Sequence, residues 1–145
     1  MQLKSFIVCD DIRHEVSNKQ TLVGVYLDSI LFRNGVDKSD SWPKAMKLCF
    51  YILFSVEDSD TWLKAGSKFR IYLQQDSSKT VLGHGLISIN SQGDLPKVLR
   101  FSLPHDKVPL QKGDAAFIMD FLNDKDEIIQ GNIILGKLFI GVDRK

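Results

Sequence analysis

Nothing in this sequence is long and apolar enough to cross a membrane as a helix. No stretch approaches the roughly 18 apolar residues that such a span requires. The opening residues, MQLKSFIVCDD, hold only a short apolar-leaning run before two acids, too short for the core of an export signal. The expectation is a cytoplasmic chain with no membrane partner. Neither sign of charge is in excess: 19 Lys and Arg face 18 Asp and Glu, for a net charge of +1. The bases are scattered, without a run or a basic helix, so no field draws the chain onto nucleic acid. Cysteine is scarce. Cys9 and Cys49 sit in strand-like segments and read as buried free thiols rather than a disulfide in a cytoplasmic chain. Together with His14, His84 and His105, all far apart, they lack the short local spacings of a zinc site.

Catalytic signatures are missing as well. There is no G-x-S-x-G, and one sequence cannot show a Ser–His–Asp convergence. GNIILGKL, Gly131 to Leu138, matches a phosphate loop only as far as Gly136-Lys137. Its interior is bulky, Leu138 stands where Ser or Thr would hold magnesium, and strand patterning continues where a helix should begin. GHG, Gly83 to Gly85, reads as a strand that permits close backbone approach, with His84 on its surface. His14, near Asp10, and His105, beside Asp106, read as solvated loop histidines. No catalytic residue and no cofactor is assigned.

What the chain does have is a period of two. AMKLCFYILFSV places Met46, Leu48, Phe50, Ile52, Phe54 and Val56 on one face, and KFRIYLQ places Phe69, Ile71 and Leu73 opposite Arg70, Tyr72 and Gln74. This is half-buried strand patterning. Eight strands are predicted: Leu3–Arg13, Gln20–Leu31, Ala45–Val56, Lys68–Gln75, Thr80–Asn90, Lys97–Leu103, Ala115–Leu122 and Ile128–Val142, the last with a break at Gly136. Pro43, Pro96, Pro104 and Pro109 fall between strands or at their ends. Only DTWLKAG, Asp60 to Gly66, has the cap and terminator of a helical turn. A chain of 145 residues, 43% hydrophobic and 26% charged, suits one domain, because about 150 residues bury roughly 68–70% of the extended surface. The prediction is a single all-β domain over residues 1–145, an antiparallel β-sandwich of Greek-key or jelly-roll type, with a closed barrel as the alternative.

FIVCDDIRHEVSNKQTLVGVY followed by WPKAMKLCFYILF resembles an uncharacterised bacterial family of short β-sandwich proteins, a domain of unknown function. Its members open with an apolar strand ending Cys-Asp-Asp and continue through a turn around a Lys into a second strand. A later Pro-Lys-Leu is matched here by Pro43-Lys44-Ala45. QKGDAAFIMDFLNDKDEIIQG is similar to their closing hairpin. The resemblance implies the sandwich and carries no known activity.

Three groups of residues stand out as sites. Asp10 and Asp11 point to opposite faces of a regular strand, so they cannot share a metal or a proton. Asp10 follows Phe6 and Val8 on the apolar face. It reads as a buried structural carboxylate that accepts backbone N–H groups, while Asp11 pairs along its own face with Arg13. The loops Asp10–Lys19, Glu57–Ser67, Ser91–Pro96 and Asn123–Glu127 share one acidic end if each strand crosses the sandwich once. Glu57, Asp58, Asp60, Asp124, Asp126 and Glu127 are then an alternative calcium set, since calcium takes about six to eight oxygens; the plainer reading is that Asp and Asn favour turns. Tyr26, Tyr51, Leu53 and Tyr72 point outward and are expected to form an interface. The last strand is apolar on both faces, with Ile128 and Ile134 on one of them, which calls for a cover on each side. The functional expectation is a non-catalytic binding or assembly module, a homodimer or the partner of an unknown protein or small ligand. The alternatives are a calcium-dependent binding domain and a small enzyme with an illegible site.

Overall fold

The computed structural model describes residues 1–33, 41–89 and 95–143. The end of the expected fifth strand at Asn90, most of the loop from Arg33 to Lys44, and Asp94 lie outside the described residues. Nine strands form among those described: β1 (Gln2–His14), β2 (Gln20–Tyr26), β3 (Ser29–Arg33), β4 (Lys44–Ser55), β5 (Lys68–Gln75), β6 (Ser78–Leu86), β7 (Val98–Leu110), β8 (Gly113–Leu122) and β9 (Ile128–Asp143). They pack as two sheets, ordered β2-β1-β4-β7 and β3-β9-β8-β5-β6. Every pairing is antiparallel except β3 with β9. The fold is the expected all-β sandwich with one parallel edge. No helix among the described residues is long and apolar enough to cross a membrane.

The core lies where the alternation placed it. Leu48, Phe50, Ile52 and Phe54 of β4 face Phe117, Met119 and Phe121 of β8, all nearly inaccessible. Phe117 stands 5.4 Å from both Phe6 and Phe50, and Phe121 stands 5.3 Å from Phe54. Each fully buried side chain of this size contributes about 1.5–3 kcal/mol, so these contacts between the sheets dominate the stability.

Several boundaries differ from expectation. The second expected strand, Gln20–Leu31, divides at Leu27 and Asp28. β2 edges the four-stranded sheet, whereas β3 edges the five-stranded one, and the Asp28 carbonyl accepts the Phe139 N–H at 2.9 Å, fastening the crossing chain to β9. The strand expected to stop at Leu103 runs through Pro104 and Pro109 to Leu110. It is an edge strand, bonded on one side only, so two missing N–H groups are tolerated. β9 does not break at Gly136. A Cβ there would lie 2.7 Å from Cδ1 of Phe6, so the glycine makes room for that ring. Asp60 to Gly66 is a run of tight turns, with Asp60 N–H to Glu57 O at 2.9 Å and Leu63 N–H to Asp60 O at 3.1 Å. The short turn among the described residues with 3-10 bonding is instead Val16–Asn18, where Ser17 and Asn18 take left-handed φ of 63° and 57°.

One departure controls which surfaces are free. β1 pairs with β4 only as far as Cys9 opposite Cys49, but with β2 as far as His14 opposite Gln20. Beyond the bend, Gln20 Nε2 donates to Ser102 Oγ of β7 at 3.0 Å, although β1 and β4 separate their strands within the sheet. The β1–β2 hairpin therefore leans back over the outer face of the four-stranded sheet. Cys9 and Cys49, which alternation points outward, are buried there as free thiols.

Candidate functional site

The outer face of the five-stranded sheet has no such cover within the described chain. β5 turns Phe69, Ile71 and Leu73 inward and Lys68, Arg70 and Tyr72 outward. Each outward residue sits between two neighbours: Lys68 between Leu86 and Leu122, Arg70 between His84 and Asp120, Tyr72 between Val81 and Ile118. Arg70 Nη1 donates to Tyr72 Oη at 2.9 Å, and Lys79 Nζ lies 5.8 Å from the same ring. Lys68 Nζ meets Asp126 Oδ1 at 2.7 Å, and this ammonium holds the Asp126 carboxyl below its ordinary value. Asp120 is buried and accepts the Asn132 N–H at 2.7 Å, where a break in the β8–β9 register frees that amide. At the β5–β6 end these side chains line an open groove of about 570 Å³, with Lys68, Arg70, His84 and Asp126 against Val81, Leu86 and Leu122.

The rest of the face is largely apolar, with Asp114, Lys137 and Arg33 also outward on it. Leu31, Val81, Leu86, Ile128, Ile134 and Phe139 lie on it, six of the eleven exposed large hydrophobic side chains among the described residues. Their side follows from their neighbours. Ile134 is opposite Ile118, which alternates with the core residues Phe117 and Met119, and Phe139 alternates with the buried Leu138 and Ile140. Leu86 and Ile134 are 68% and 57% exposed, values expected of polar residues on a solvated face. The two-sided apolarity of the last strand was the sequence signal for this surface.

The residues singled out from sequence are not brought together. Asp10 is exposed rather than buried. It accepts Tyr26 Oη at 2.5 Å instead of backbone N–H groups and lies over Gly24, at φ +68°, whose missing Cβ leaves room for the carboxylate. The correction has a simple origin: β1 bends away at this point, so the apolar face of Phe6 and Val8 does not continue into the core. Burial, and then the Asp10 carboxylate, push the Tyr26 phenol up to about 12. Asp11 does point the other way, toward Arg13 and Lys47, at 3.9 Å from each. Tyr51 and Leu53 belong to the outer face that the hairpin overhangs, Tyr72 to the opposite outer face, and Tyr26 to the Asp10 contact. These four residues do not make one interface.

The acidic end is also different. The β1–β2 connection lies at the opposite end from Glu57–Ser67 and Asn123–Glu127, because the split second strand reverses the count of crossings. Asp60 is buried, accepts the Glu57 N–H at 2.8 Å and meets the N-terminal ammonium at 2.9 Å. Asp126 is engaged with Lys68. Among the described residues no three His, Cys, Asp or Glu side chains come close enough to hold a metal ion. The strand patterning continues through Gly131–Leu138, which lies within β9.

No protein-family model matches the chain, and no curated protein matches its sequence.

Proposed function

We propose that this protein is a binding or assembly module without catalytic activity, and that its working surface is the outer face of the five-stranded sheet. One observation carries the reading. Among the described residues, a hairpin overhangs the outer face of one sheet, while the other sheet bears six exposed apolar side chains. Patches of this kind mark interaction surfaces. The groove fits the same role: its lining supplies charges of both signs beside an apolar wall and includes no Ser or Cys nucleophile. A cytoplasmic setting belongs to the proposal, supported by two cysteines that stand opposite each other and remain thiols. So does kinship with the uncharacterised bacterial family that the opening strands resemble.

A photoreactive benzoylphenylalanine in place of Phe139, with the same group in place of Arg100 on the other outer face as control, tests the surface in cells. Covalent adducts from position 139 and none from position 100 are expected. Equal yields, or none from position 139, would remove the face from consideration.

A further inference from the structure

Given that this face is the working surface, its occupant can be identified. We propose that a second copy of the chain covers it, the two five-stranded sheets packing outer face to outer face about a twofold axis. The size is right. Five strands about 4.8 Å apart, each presenting about eight residues at about 3.4 Å, make a surface of roughly 24 by 27 Å. Two copies then bury roughly 1,300 Å², within the range of about 1,200–2,000 Å² for stable, specific interfaces.

The charge is also compatible with self-contact. The chain carries a net charge of only +1, and the face holds both signs, with Lys68, Arg70 and Lys79 offset by Asp120 and Asp126. Cations stand on both sides of the face, Lys68, Arg70 and Lys79 on β5 and β6, Lys137 on β9 and Arg33 on β3, while Leu31, Ile134 and Phe139 lie on the β3–β9 side. An axis along the central β8 lays β9 of one copy over β5 of the other, so the apolar side of each covers the Tyr72 side of its partner. Such a contact is isologous and closes at two copies.

Sedimentation velocity from about 1 to 100 µM on the purified protein tests this. The expected species has twice the 16.4 kDa of one chain. Ile134→Lys and Phe139→Lys, both at exposed positions, should each give a monomer with an unchanged circular dichroism spectrum, and Arg100→Glu should remain dimeric. A monomer of the unmodified protein at the highest concentration overturns the proposal, as does a dimer that both lysine variants leave intact. If that monomer nevertheless yields adducts to another protein from position 139, the surface stands and only the self-partner falls. If position 139 yields nothing, both fall.

Discussion

Gly24→Ala is the substitution that best probes how the Cys-Asp-Asp segment is built. Gly24 holds φ at +68°, and an added Cβ would collide with the Asp10 carboxylate. Two costs arise. A left-handed backbone costs an L-residue roughly 1–2 kcal/mol. Asp10 must also turn away and release Tyr26 Oη, now at 2.5 Å; a charged hydrogen bond at an exposed site contributes about 1 kcal/mol after solvent screening. The expected loss is about 2–3 kcal/mol in urea unfolding at neutral pH. The two costs separate in a double-mutant cycle. In an Asp10→Ala background Gly24→Ala should cost only the backbone share, leaving a coupling of about 1 kcal/mol. Asp11→Asn, which keeps the Oδ1 acceptor that Ile12 N–H uses at 3.0 Å, should change stability by less than about 0.5 kcal/mol. A Gly24→Ala variant as stable as the original, or one losing the same amount with and without Asp10, would refute the reasoning.

The acid limb of stability should depend on Asp60. Burial acts to raise its pKa, but the Glu57 N–H and the N-terminal ammonium outweigh it and hold the carboxyl below 3.8. With the folded value below the unfolded one, the contribution is present above about pH 4 and lost as pH falls through the folded value; Asp60→Asn should flatten that slope in thermal melts, and an identical slope would contradict the assignment. The thiols should be inert. Burial, and then the neighbouring Cys49, push Cys9 up to about 11, leaving roughly 0.1% thiolate at pH 8; Ellman's reagent should react with neither cysteine in the folded protein and with both in urea, and rapid reaction of the native protein would contradict the burial.

Much of the sandwich is legible in the sequence because strand alternation is a local property. β4 and β5 declare themselves through Leu48, Phe50, Ile52 and Phe54, and through Phe69, Ile71 and Leu73, since one buried side per strand imposes a period of two whatever the strand's neighbours are. The same period identifies the core rings that join the sheets. It does not record which sheet a strand joins. The chain crosses from one sheet to the other at Leu27 and Asp28 with hardly a break in the pattern, and that crossing reversed the expected placement of the acidic loops. Nor does it record where a sheet ends: Pro104 and Pro109 look like terminators until β7 proves to be an edge. The two aspartates show the limit most directly. Alternation correctly sends Asp10 and Asp11 to opposite faces, but whether the Asp10 face is core or solvent depends on the bend that releases β1 from β4 beyond Cys9. That bend swings the hairpin across one outer face, while the other has no such cover among the described residues. Burial on an outer face depends on contacts between segments distant in sequence, such as Gln20 with Ser102, so only the tertiary structure could decide which apolar residues are free to meet a partner.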